Sequence, residues 1–271
     1  MKTLYLDLGM GAAGDMLTGA LLELMPDREA ALEQLNRLGL PHTQFSMERG
    51  SKCGISGTHI HVTVLGQEEQ PCQDVPQHEH HHAHDHEHAH DHDHGHGHHH
   101  SHTAMADIRQ TVQALSVSDA VKAQVLGVYE RIAQAESQVH GVPVDQIHFH
   151  EVVSLDALAD ITAVCYLLEQ LAPEKIVASP VQVGYGKIRC AHGILPVPAP
   201  ATAQILLGIP IRAGDIPGEL CTPTGAALLR QFVTAYGVLP TMTVNAIGYG
   251  LGTKDFPAAN CLRAMLGESE A

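Results

Sequence analysis

The chain contains no tryptophan, and aromatic residues make up only 4% of it. That scarcity argues against a stacking platform for single-stranded nucleic acid and against a carbohydrate cleft. Basic residues are also few: 15 Lys and Arg stand against 30 Asp and Glu, a formal net charge of −15. Nucleic acid and an anionic membrane surface are poor partners for such a chain. No apolar run approaches the ~20 residues of a membrane span, and the opening MKTLYLDLGMG is not a signal peptide. The cysteines (Cys53, Cys72, Cys165, Cys190, Cys221, Cys261) lie far apart with no CxxC pair. That pattern suits reduced thiols and a cytoplasmic location. No Ser-His-Asp spacing emerges either.

What is present is enough apolar residue for a core, 44% of 271 residues. Residues 3–8 (TLYLDL) alternate like a strand, and 15–25 and 28–38 read as helices closed by Pro26 and by Gly39 with Pro41. Strands follow near 43–48 and 57–65, the pair expected antiparallel. In the second, Ile60, Val62 and Val64 face one way and His59, His61 and Thr63 the other. Helices are expected at 106–115, 118–139, 155–171, 201–207 and 225–235. Strands are expected at 175–178, 181–183 and 261–266. Alternating strands and helices predict an α/β fold, a mixed sheet with flanking helices, interrupted by a disordered His-rich insertion. The expected organisation is an N-terminal part at 1–66, the insertion at 67–103, and 104–271 as the second part of the same domain.

The insertion is where the composition departs from the ordinary. Of 22 histidines, 15 fall within 78–102: His78, His80, His81, His82, His84, His86, His88, His90, His92, His94, His96, His98, His99, His100 and His102. No bulky apolar residue lies between them, so burial cannot offset the entropy of ordering this stretch. Neutral imidazole suits Zn, Ni and Cu. Glu79, Asp85, Glu87, Asp91 and Asp93 add negative potential that attracts dications. The tract is therefore read as binding several metal ions loosely. Its bland alternative is a solvated spacer. Without residues 66–102, which hold eight acids and no Lys or Arg, the net charge is −7.

Other constellations lie in the ordered parts. His148-Phe149-His150-Glu151 is followed by Asp156 and Asp160. His-x-His on an extended segment puts both rings on one side, and two aspartates at i and i+4 share a helix face. Asp160 falls mid-helix in ALADITAVCYLL, where a lone buried carboxylate is expensive without a partner or a cation. Metal binding or catalysis by this set competes evenly with simple helix-end electrostatics. Gly9-Met10-Gly11-Ala12-Ala13-Gly14 is a literal GxGxxG between a strand and a helix. The acid that should end a second strand ~20 residues on is absent from such a place, which disfavours a nicotinamide site. A phosphate cradle using Gly11 and Gly14, with Asp15 as ligand or plain N-cap, stays open. Thr222-Pro223-Thr224-Gly225 opens a helix with Thr222 as cap; its amides, with Lys187 and Arg189, suit an anion or merely a rigid turn. His192 lies in the turn-rich segment before Pro196. Gly248-Tyr249-Gly250-Leu251-Gly252-Thr253-Lys254 reads as another turn-rich loop.

Taken together, these stretches resemble one family, the nickel insertion proteins of the nickel-pincer cofactor pathway (LarC type). The likeness runs in order through LDLGMGAAGDMLTGALL, GISGTHIHV, the His-rich insertion, AESQVHG, HFHEVVSLDALADI, SPVQVGYGKI, HGILPVPAPAT, GELCTPTGAALL, GYGLGTKD and NCLRAMLG. It implies a protein, of the lyase class, that inserts nickel into pyridinium-3,5-bisthiocarboxylic acid mononucleotide for lactate racemase and related enzymes. Asp7, Asp15, His148, His150, Glu151, Asp156, Asp160 and His192 match the family's polar positions, with Val153 and Ser154 where the family usually has Gly. The resemblance also implies CTP with Mg or Mn, bound by a C-terminal domain that would act in cis or in trans. A nickel store or delivery chaperone without catalytic activity is the rival reading.

Overall fold

A computed structural model describes residues 1–68, 72–75, 105–147, 155–190 and 193–270. Of the expected insertion at 67–103, residues 67–68 and 72–75 are described and include strand segments, while the His tract and its expected disorder lie outside the described residues.

The main sheet comprises β1 (Lys2–Asp7), β2 (Thr43–Lys52), β3 (Ile55–Val64), β4 (Gln67–Glu68), β5 (Lys175–Ala178), β6 (Ala235–Tyr236), β7 (Met242–Leu251) and β8 (Cys261–Ser269). Its order is β6-β5-β1-β8-β7-β3-β2, with β4 beside the end of β3. β5 and β6 run parallel to β1 on one side, and β8 lies antiparallel on the other. The sheet is therefore mixed, and it draws strands from both sides of the insertion. β2 and β3 pair antiparallel along their whole length, Thr43 opposite Val64 and Lys52 opposite Ile55.

Seven helices accompany it: α1 (Gly14–Glu23), α2 (Arg28–Leu35), α3 (Met105–Ala114), α4 (Asp119–His140), α5 (Leu155–Leu171), α6 (Pro200–Ile205) and α7 (Pro223–Phe232). Their ends follow local chemistry. Ser118 caps α4 through the Val121 amide, and Gly141 closes it in the left-handed conformation. Thr222 caps α7 through the Gly225 amide at 3.1 Å, with Pro223 in the first helical position. α1 begins at Gly14 with Ala13 as its N-cap, so Asp15 is a first-turn residue rather than the cap.

Strand alternation sorts the core. Leu4 and Leu6 join the large cluster with α1, α4, α5 and α7, while Tyr5, Val177 and Met265 form a small cluster of their own. Cys165 and Cys221 are buried, and among the described residues every cysteine is a free thiol. No helix among the described residues is long and apolar enough to cross a membrane.

One expectation is corrected. Residues 248–251 do not form a loop but complete β7. The glycines there make room for a helix. A Cβ on Gly250 would lie 1.8 Å from the Met16 carbonyl oxygen, and one on Gly248 would lie 2.1 Å from that of Ala20. From the helix side, a Cβ on Gly19 would lie 3.1 Å from the Gly250 Cα. Small residues on both elements let α1 sit directly on the strand. Glu23 fixes the far end of α1: its carboxylate accepts from the Tyr249 amide (2.9 Å), the Thr58 hydroxyl (2.8 Å) and Arg49 (3.2 Å).

Candidate functional site

The C-terminal end of β1 runs into the glycine turn, and that turn is knitted to the start of α7. The Ala12 amide donates to the Leu220 carbonyl at 3.0 Å, and the Thr222 amide donates to the Ala12 carbonyl at 3.0 Å. Gly11 has φ +77°, and a Cβ there would meet the Leu220 carbonyl oxygen at 2.0 Å. A Cβ on Gly225 would meet the Ala12 carbonyl oxygen at 2.1 Å. The starts of α1 and α7 are thus side by side, with Thr222 and Thr224 in the same neighbourhood as Gly11.

Asp160 closes this corner. A Cβ on Gly14 would fall 2.2 Å from its Oδ2 and 2.5 Å from its Cβ. The sequence places Asp160 mid-helix and Gly14 at the head of α1; the fold brings the carboxylate against that head, where the helix dipole favours negative charge. Behind it lies Tyr129 of α4, fully buried, whose hydroxyl has no hydrogen-bond partner among the described residues. Burial, and then the Asp160 charge, push the Tyr129 hydroxyl far up from its ordinary value. One turn earlier on α5, Asp156 keeps one carboxylate oxygen buried without a hydrogen-bond partner among the described residues. Burial raises its pKa.

Asp15 points elsewhere. Its Oδ1 accepts from the Met16 amide at 2.8 Å, and its Oδ2 accepts from the Thr253 hydroxyl at 3.3 Å. Burial raises this carboxyl too, against the lowering effect of those bonds. Asp7, at the end of β1, accepts from Arg263 at 2.6 Å and from the Gly9 amide at 3.2 Å. Arg212 also lies close to Gly9, its Nη2 3.7 Å from where a Cβ would stand.

Of the expected site residues, then, Gly11, Gly14, Asp160, Thr222 and Thr224 converge, and Asp156 stands one turn from them. Asp15 is turned toward the loop after β7. His148, His150, Glu151, His192 and the fifteen tract histidines lie outside the described residues. Lys187 and Arg189 fall in a ribbon, Lys187–Cys190 paired with Gly193–Pro196 and with Gln73–Asp74, rather than in an irregular loop.

Several polar contacts went unsuspected in the sequence. Asp74, within the expected 67–103 insertion but ahead of its first histidine, binds Lys254 at 3.0 Å and accepts from the Glu219 amide at 3.2 Å. On the outer side of β3, His59 and His61 lie with ring centroids 4.3 Å apart. Their two-residue spacing was the only signal for this pair. Among the described residues no group of three or more His, Cys, Asp or Glu side chains is arranged to hold a metal ion.

The sequence model of the nickel insertion protein family matches residues 4–271. Relatives named pyridinium-3,5-bisthiocarboxylic acid mononucleotide nickel insertion protein match over almost the whole chain. That of Geobacillus kaustophilus is 38% identical over 99% of this chain and 60% of its own length. That of Staphylococcus epidermidis is 36% identical over 99% of this chain and 60% of its own. That of Clostridium acetobutylicum is 41% identical over 100% of this chain and 65% of its own. The chain thus spans about 60% of the length of relatives it matches. No solved structure matches.

Proposed function

The chain belongs to the nickel insertion protein family, and from that premise we propose that it binds Ni²⁺ and takes part in placing it into pyridinium-3,5-bisthiocarboxylic acid mononucleotide. The observation that carries this reading is the family match across residues 4–271. The geometry adds a reason for the site's position. α5 sets Asp160 beside the joined heads of α1 and α7 and Asp156 one turn earlier, and it follows in sequence the segment that holds His148, His150 and Glu151. Carboxylate and imidazole together suit a divalent ion of this type.

In this reading the His tract collects Ni²⁺. Because it is part of the same chain, it raises the local concentration of metal near the ordered carboxylates by tethering. Asp156 and Asp160 then hold or orient the ion, with His148, His150, Glu151 and His192 completing its surroundings. CTP with Mg or Mn is assigned to a C-terminal domain acting in cis or in trans. Gly11 and Gly14 of the turn already have a use in contacts with Leu220 and Asp160. The protein works in the cytoplasm, as a lyase-class participant, on a small-molecule substrate and without nucleic acid.

The test is cofactor maturation in the complete system. Deleting 78–102 is expected to shift the Ni²⁺ requirement at least tenfold upward, and excess Ni²⁺ to restore the rate. Asp160→Ala is expected to lower the rate at saturating Ni²⁺. An unchanged Ni²⁺ requirement on deletion sinks the role given to the tract. Normal maturation by Asp160→Ala, with delivery abolished by the deletion, would leave a store or chaperone instead.

A further inference from the structure

The outer face of β2 and β3 carries a polar cluster that the reading above does not use. His61 Nδ1 lies 2.9 Å from Glu68 Oε1, and its Nε2 lies 3.5 Å from Glu48 Oε2. His59 packs its ring on His61 at 4.3 Å between centroids. Its Nε2 is 3.3 Å from the Thr253 hydroxyl, which in turn is 3.3 Å from Asp15 Oδ2.

These bonds select tautomers. Thr253 donates its one proton to Asp15, so His59 donates from Nε2 and keeps a lone pair on Nδ1. Glu68 is an acceptor only, so His61 donates to it from Nδ1, and Nε2 is the nitrogen left facing Glu48, where a bound cation takes the place of a proton. Burial, and then the neighbouring His61 and Lys52, push the His59 imidazole down, toward its neutral form. Lys52 itself is held by Asp255 at 2.6 Å.

We infer that His61 Nε2 and Glu48 form a divalent-cation site on this face, with Glu68 as the carboxylate behind the ligating histidine and His59 beside it. Two donor atoms bound to one metal at about 2.1 Å lie about 3.0–3.4 Å apart. The Nε2 to Oε2 distance of 3.5 Å falls just beyond that span, so a small rotation of the exposed Glu48 closes it. A carboxylate on the far nitrogen of a metal-bound histidine fixes its orientation and raises its basicity. An imidazole with a carboxylate suits Ni²⁺ and its neighbours in the first transition row. Two protein ligands, with water in the remaining positions, make a loosely held and exchangeable site.

The location gives the site a use. Glu68 ends β4 ten residues before His78. Asp74, four residues before His78, is tied to Lys254, the neighbour of the Thr253 that binds His59. The described residues just ahead of the tract are therefore linked to this pair through Lys254 and Thr253, and in this reading the site takes ions from the tract. This use rests on the nickel reading; the binding itself does not.

The experiment is a Ni²⁺ titration of the ¹⁵N-labelled full chain, read as paramagnetic broadening of backbone amides, with amides of α7 as reference. Once the tract is filled, the amides of Glu48, His59, His61 and Glu68 are expected to broaden. His61→Gln is expected to remove that broadening, and Glu48→Gln to move its onset at least fivefold higher in Ni²⁺. Both variants keep their metal-free spectra elsewhere. If these amides stay sharp, or broaden alike in both variants, the cluster is an ion pair only and the site is overturned. Nickel insertion is not read here, so its loss in the maturation assay leaves this outcome standing.

Discussion

Gly9, Gly11 and Gly14 punctuate a turn between β1 and α1, whereas Gly248 and Gly250 lie within β7. Both stretches carry the spacing of a ligand-binding loop, and at Gly11, Gly14, Gly248 and Gly250 the place of the missing Cβ is occupied by other parts of the same protein. Gly11, like the β7 pair, is closed by backbone, the Leu220 carbonyl; the difference lies between that pair and Gly14. At Gly250 and Gly248 it is helix backbone, the carbonyls of Met16 and Ala20. At Gly14 it is a side chain, the carboxylate of Asp160. Backbone held in a helix cannot move aside without lifting α1 off the sheet. A side chain can be replaced. Gly248 and Gly250 therefore belong to the architecture, and Gly14 belongs to the corner where the candidate site is built.

That contrast can be broken by substitution. Gly250→Ala is expected to have the largest effect, about 3 kcal/mol of destabilisation from overpacking, measured as a fall in the urea midpoint. No side-chain replacement nearby should rescue it. Gly14→Ala is expected to destabilise by about 2 kcal/mol. In an Asp160→Gly background the same change should fall below about 1 kcal/mol, a coupling that a double-mutant cycle reads directly. Asp160→Gly is the right partner because even the Asp160 Cβ would lie 2.5 Å from the new methyl. Equal costs in both backgrounds would mean that Gly14 is required for some other reason.

Much of the fold was readable because it is local. Ser118, Gly141 and the Thr222-Pro223 pair mark helix ends through bonds made within a few residues. The hairpin of β2 and β3 announced itself by alternation, with Ile60 and Val62 inward. β7 did not, for a physical reason: several of its helix-facing positions are glycine or alanine, so the inward face carries no bulky apolar signal. The site was half readable. Asp156 and Asp160 stand out as acids in an apolar helix, whatever the tertiary fold. That Asp160 meets Gly14, that Asp15 turns to Thr253, and that Asp74 clamps Lys254 are all contacts between segments distant in sequence. No spacing within one segment encodes them.

The smallest effect concerns Asp156, which the comparison sets against Asp160 on the same helix. Its place in the first turn of α5 favours a negative charge, yet burial wins and raises its carboxyl above the ordinary value near 3.8. A raised carboxyl means that the folded state holds the proton more tightly than the unfolded chain. The group's contribution to stability is then fully present below about pH 3.8 and is lost as pH rises through the folded value. Asp156→Asn removes that loss. Its urea midpoint relative to the parent chain is expected to climb between pH 4 and pH 7, provided Ni²⁺ is absent. Added Ni²⁺ should reverse the order at pH 7, because an ion that binds the native carboxylate stabilises the parent and not the variant. Parallel midpoints across the pH range would show that the buried oxygen of Asp156 carries no uncompensated charge, and the case for a cation at the head of α5 would then rest on Asp160 alone.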